Sequence, residues 1–151
     1  MAKIRLTKEF KFEMAHALLG YSGPCKNIHG HSYYLYVTII GEILKDDNSP
    51  INGMVIDFGE LKEIVKTEIV DQVDHALALY DKTPKYIIDS LKPTYNLFLT
   101  PYQPTCENLI HDFAIRIQKK LPPEIKLFSL KLCETVTSFA EWFAEDNADV
   151  K

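Results

Sequence analysis

Cysteine and basic charge are scarce in this chain, and long apolar runs and repeats are missing. Three cysteines, Cys25, Cys106 and Cys133, occur in 151 residues. An odd, low count with no secretory apolar segment at the start argues against a disulfide framework and for reduced thiols in the cytoplasm. The 17 Lys and Arg fall short of the 21 Asp and Glu, giving a net charge of −4. That balance excludes broad nucleic-acid binding, which needs a basic footprint, but leaves room for a small anionic ligand held by a few local cations. The longest apolar stretches, such as LYVTII, fall far short of the roughly 20 residues that cross a bilayer. No segment repeats and none is of low complexity. What is present is ordinary: 46% hydrophobic and 25% charged residues suit a packed core and one domain over residues 1–151.

Residues 4–16 alternate, with Ile4, Leu6, Phe10, Phe12, Met14 and His16 on one parity. A period of two over this length predicts a half-buried strand. Gly20, Ser22, Gly23, Pro24 and Asn27 mark a loop over 17–28. Residues 31–43 are rich in β-branched and aromatic side chains and predict a second strand, antiparallel to the first. Asp57 is placed to cap a helix running from Phe58 through the ALAL stretch after His75, with Leu61, Ile64, Val65, Ile69 and Val73 on its apolar stripe. Residues 80–103, interrupted by Pro84, Pro93 and Pro101, predict an irregular excursion with one short element. Thr105 caps a second helix that Pro122 and Pro123 stop. Two further strands follow, joined near Val136 and Thr137. The order β-β-α-α-β-β predicts an α+β fold: a four-stranded antiparallel sheet with two helices on one face.

His29 and His31 share a strand face, because residues i and i+2 point the same way. His16 ends strand one on its core-facing parity, and an antiparallel hairpin returns that end to the start of strand two. Three imidazoles then meet at one mouth of the sheet. Three neutral nitrogens with a vacant fourth position is the pattern of catalytic zinc, whereas structural zinc is closed, usually by cysteines. Gly30 between the two histidines reads as room for close backbone approach.

Cys25 lies four residues before His29 in the loop. Its readings are a thiol activated beside a cation, a fourth ligand, or a passive loop residue. Asp74 and His75 fall near the end of the first predicted helix, where adjacent residues do not face each other. Taken locally, His75 is a helix-terminal histidine favoured by the dipole. Glu134 shares the parity of Leu130 and Leu132, so it is either a carboxylate on the buried face, able to accept two N–H groups from an amidine-like edge, or a strand-end residue in solvent. Glu107 sits in a first helical turn, where negative charge is favoured anyway. Cys106 and Cys133 read as packing residues, His111 as a surface helix residue, and at least one of Trp142 and Phe143 as core.

In order along the chain, FKFEMAHAL, CKNIHGH, GMVIDFGELK, the pair Asp74-His75, PTCENL and CETVTSFAEW resemble the 6-pyruvoyltetrahydropterin synthase superfamily. The three residues between Cys25 and His29 and the TVTS segment after Glu134 look like its 6-carboxytetrahydropterin synthase branch, of queuosine biosynthesis. The resemblance implies the tunnelling fold, Zn2+ on His16, His29 and His31, a catalytic Cys25, and Asp74 with His75 as a proton relay. It implies a pterin ring anchored by Glu134 with Thr105 and Glu107 nearby. The implied substrate is 7,8-dihydroneopterin triphosphate, and the implied products are 6-carboxytetrahydropterin, acetaldehyde and triphosphate. Trimers or hexamers with active sites between subunits are implied as well. That arrangement would let Asp74 and His75 serve a neighbour's Cys25. The alternatives are the pyruvoyl activity on the same substrate and a non-catalytic zinc- or pterin-binding relative.

Overall fold

The computed structural model describes residues 1–148. Its first two strands are β1 (Lys3–His16) and β2 (His29–Glu42), paired antiparallel along their whole length. β2 starts two residues earlier than its composition suggests, so both His29 and His31 lie inside the ladder. Phe10, Phe12, Met14 and His16 are the buried residues of β1, and they alternate with exposed Glu9, Lys11 and Glu13.

α1 (Phe58–Val65) begins where the Asp57 side chain accepts the Gly59 N–H at 2.5 Å. It runs on through a π-helical stretch, Lys66–Val70, into the short α2 (Asp71–Val73). There the helix ends. Asp74 is extended (φ −64°, ψ 125°) and His75 is left-handed (φ 60°). Ala76–Tyr80 is not a helix, as the periodicity had indicated, but a strand, β3. It runs parallel to β1, with Ala76 beside Met14 and Ala78 beside His16. Its residues Ala76, Leu77, Ala78 and Leu79 are all buried, as in a strand covered on both faces, and such a run carries no alternation to distinguish it from helix.

The stretch over residues 80–103 holds two elements rather than one. α3 (Lys85–Leu91) forms the crossover to β4 (Leu97–Thr100), which pairs parallel with β3. α4 (Cys106–Gln118) starts where the Thr105 hydroxyl accepts the Asn108 N–H at 3.2 Å. β5 (Lys126–Cys133) and β6 (Phe139–Phe143) form the last hairpin, and β5 pairs with β2.

The fold class is α+β, but the sheet is larger than expected and mixed. Six strands lie in the order β4-β3-β1-β2-β5-β6. The four antiparallel strands foreseen form one part, extended past β1 by the parallel pair. Helical segments number more than the two foreseen, because the 80–103 crossover has its own. One apolar cluster joins Leu61, Val65, Ile69 and Val73 of the first helical run, Leu109, Phe113 and Ile117 of α4, and the inward residues of β1, β2, β5 and β6. Burying each such side chain contributes about 1.5–3 kcal/mol, and this cluster fixes the sheet face from which the histidines project. No helix of the described residues is long and apolar enough to cross a membrane.

Candidate active site

The β1–β2 register sets His16 directly opposite His29, and His31 opposite Met14. All three histidines stand on the helix-covered face. Their ligand atoms lie within 4.8 Å of one another, and Nε2 of His16 is 3.0 Å from Nε2 of His29. The Nδ1 atoms are committed elsewhere: that of His16 lies 2.7 Å from the Pro104 carbonyl, and that of His29 lies 2.7 Å from the Asn27 carbonyl. A carbonyl only accepts, so both Nδ1 atoms carry protons. Burial holds His16 and His31 below the ordinary histidine range, which keeps them neutral. With both rings neutral, the Nε2 atoms of His16 and His29 face each other as lone pairs. Nε2 of His31 is buried with no hydrogen-bond partner among the described residues.

Three lone pairs turned toward one point are unfavourable unless a cation lies between them. Two nitrogens bound tetrahedrally to zinc at about 2.0–2.1 Å stand about 3.3 Å apart, close to the spacing seen here. The donor set fits a divalent ion, and the Pro104 and Asn27 carbonyls act as the outer partners that fix ring orientation in such sites. Gly30 is not needed for this approach. A Cβ there would meet the Met14 carbonyl at 3.5 Å and Ala15 atoms at 3.8 and 3.9 Å, which is ordinary contact.

Beside the triad opens a cavity of about 300 Å³ lined by His16, Cys25, Thr105, Glu107 and Glu134, together with Cys106 and Phe139 among others. Cys25 sits in the Pro24–Lys26 turn, and its carbonyl accepts the Leu18 N–H at 3.0 Å. The loop carrying it is clipped to the segment before α4. Leu19 N–H donates to Gln103 Oε1 at 3.0 Å, and the Gln103 amide donates back to the Leu19 carbonyl. Cys25 is not a member of the metal-ligand group. Glu134 follows β5 on the buried parity, with its Oε1 3.6 Å from His31 Nε2, too long for a hydrogen bond.

Asp74 and His75 lie elsewhere. Because the helix has already ended, the adjacent pair does meet: Asp74 Oδ1 is 3.1 Å from His75 Nδ1. The Glu13 N–H donates to Asp74 Oδ1 at 2.9 Å, and the His75 N–H donates to the Glu13 carbonyl at 2.6 Å. The Glu13 N–H is the main cause holding the Asp74 carboxyl below its ordinary value. His75 lines a second open cavity with Glu13, Ser32 and the triad's own His31. It is not among the residues lining the cavity of Cys25.

Several contributors left no readable signal. Pro104 and Asn27 act through backbone carbonyls, which no side chain announces. Cys106, taken for packing, forms cavity wall, and burial pushes its thiol up to about 12, so it stays protonated. Tyr33 lies beneath the triad, its ring 5.6 Å from that of His31.

The sequence and the fold both have counterparts among known proteins. The profile of the 6-pyruvoyl tetrahydropterin synthase family matches residues 5–145. The chain belongs to that family and is a lyase of its kind. Within it, the sequence falls in the 6-carboxytetrahydropterin synthase branch. The 6-carboxy-5,6,7,8-tetrahydropterin synthase of Haemophilus influenzae is 39% identical over 142 residues, covering 91% of this chain and 97% of its own. That of Rickettsia bellii is 32% identical, covering 91% and 99%. Among solved structures, the 6-pyruvoyl tetrahydropterin synthase of Caenorhabditis elegans superposes with a TM-score of 0.65 at 24% identity, covering 95% of this chain and 96% of that one. An uncharacterized protein of Wolinella succinogenes reaches 0.78 at 18% identity, covering 95% and 99%. These two establish the fold.

Proposed function

We propose that this chain is a zinc-dependent, cytoplasmic lyase acting on 7,8-dihydroneopterin triphosphate in the queuosine precursor pathway. Its products are 6-carboxy-5,6,7,8-tetrahydropterin, acetaldehyde and triphosphate, with one water consumed. The observation that carries this reading is the convergence of three imidazoles, their ligand atoms within 4.8 Å of one another, beside a cavity that also holds Cys25, Thr105, Glu107 and Glu134. The relatives named 6-carboxy-5,6,7,8-tetrahydropterin synthase support the choice of product.

His16, His29 and His31 would hold the ion, which supplies Lewis acidity to the hydroxyls of the pterin's side chain. Glu134 accepts the N–H edge of the ring and sets the side chain over the triad, a positioning effect. Thr105 and Glu107 line the same wall. Cys25 moves a proton on one side of the carbon chain. Asp74 orients His75 for transfer on the other side, and the two reach the substrate from a neighbouring copy in a trimer or hexamer. The exposure of His75, 80% for its side chain, suits a group awaiting a second subunit.

The test is incubation of the purified, metal-loaded protein with 7,8-dihydroneopterin triphosphate, followed by product analysis. Stoichiometric acetaldehyde with 6-carboxytetrahydropterin is expected. Triphosphate release without acetaldehyde would transfer the chain to the pyruvoyl activity, and no turnover would leave a binding relative.

A further inference from the structure

Three buried side-chain atoms lack a hydrogen-bond partner among the described residues: His31 Nε2, the Tyr33 hydroxyl and Trp142 Nε1. A metal-ligand role accounts for the first. The second is its close neighbour. Tyr33 is 0% exposed. Its ring stacks on Phe12 with centroids 5.0 Å apart and planes 12° apart. The phenol is therefore fixed by the core and cannot turn to water, and an unsatisfied buried hydroxyl weakens the fold that contains it.

The sheet register shows which group stands beside it. Tyr34 pairs with Cys133 and Leu35 with Leu132. Glu134 is the residue just past the end of β5, and continuing this register by one rung brings it toward Tyr33, both on the parity of the buried Leu35 and Leu132. Side chains facing across such a rung have Cβ atoms about 4.5–5.5 Å apart. Glu134 is diagonal to His31 on the same face, which matches its 3.6 Å approach to Nε2. As a metal ligand, that nitrogen would present its lone pair to the ion and could not also donate to a carboxylate. The carboxylate has a donor-rich ligand to orient and no donor of its own, while an idle donor is locked in place on its other flank.

Resting on the functional reading above, we propose that the Tyr33 hydroxyl positions Glu134 in the working site, donating to one carboxylate oxygen and leaving the other for the pterin ring. Tyr33 touches neither substrate nor metal. It acts through Glu134 and is a positioning residue.

Tyr33→Phe removes the hydroxyl and little else. Equilibrium binding of 7,8-dihydroneopterin should weaken about tenfold, the scale of one hydrogen bond to a charged group. KM should rise in parallel, with kcat within about twofold. Metal content should be unchanged, and the melting temperature unchanged or higher, because the lost group is unsatisfied in the free protein. In a Glu134→Ala background the same change should have no further effect on binding, as coupled neighbours require. Unaltered binding by Tyr33→Phe would overturn the proposal. So would an equal loss in the Glu134→Ala background, or loss of metal. A wild-type protein that binds no 7,8-dihydroneopterin would overturn the functional reading and this inference with it.

Discussion

At His16 one ring nitrogen is committed to the Pro104 carbonyl and the other faces His29. Burial disfavours the charged forms of His16 and His31, so both titrate below the value of 6.5 that an unfolded chain would show. As pH falls, the unfolded chain binds these protons first. Metal-free stability is therefore intact above 6.5 and is lost as the pH falls through the folded values. Thermal melting of the metal-free protein between about pH 8 and pH 5 should show this decline, and His16→Gln should flatten it. A slope untouched by that change would assign the acid sensitivity to other groups. At Gly30 the backbone is not left-handed and a Cβ meets only ordinary contacts. Gly30→Ala should leave metal content unchanged and raise stability by about 0.5 kcal/mol, measured by denaturant unfolding. Lost metal would show that the crossing is tighter than these distances imply. The triad was legible in sequence because strand parity and hairpin return are simple geometry. The carbonyls of Pro104 and Asn27 were not, because a backbone group has no residue-type signature.

The Leu19–Gln103 clip is the connection between the loop of Cys25 and the segment before α4. It lies beside the Pro104 carbonyl that orients His16 and the Thr105 cap of α4. Gln103→Ala should cost about 1 kcal/mol of stability, the net worth of ordinary hydrogen bonds. It should lower kcat about tenfold through misplacement of Cys25, with metal content kept. Chemical denaturation, metal analysis and steady-state kinetics on one preparation separate these effects, and unchanged kcat would show that the loop holds its thiol without the clip. Elements with their own amphipathic period, β1, β2 and α4, could be read from sequence to within a few residues, and so could the start of α1 but not the end of its helical run. β3 could not, since ALALY continues an apolar run straight from a helix and its strand character comes from lying between β1 and β4. β4 and α3 were hidden among prolines, and what defines them is the parallel partner that β3 provides.

Over the whole molecule, the groups proposed for catalysis divide between two cavities. Cys25 and Glu134 line one, and His75 lines the other with Glu13, Ser32 and His31. If the working site forms between copies, two inactive variants should rescue each other. Mixing Cys25→Ser with His75→Ala under conditions that exchange subunits should restore activity, to about a quarter of wild type or more in a random mixture. No recovery, with mixed oligomers shown by mass measurement, would place all the groups in one chain. Metal removal is expected to act differently. The apolar cluster of sheet and helices does not include the three histidines, so chelation should abolish turnover and lower the melting temperature while leaving a cooperative unfolding transition. Collapse of the fold on chelation, followed by circular dichroism, would make the ion structural instead. Neither division of labour was legible in sequence, because it depends on where a helix terminus delivers its next two residues.

All three imidazoles come from a stretch of chain that ends at residue 31, yet the carbonyl that orients the first of them lies 88 residues beyond it. During synthesis, the ligands leave the ribosome long before Pro104 does. Ion capture by the nascent hairpin would then be loose and reversible, and it would tighten only when the start of α4 arrives and locks His16.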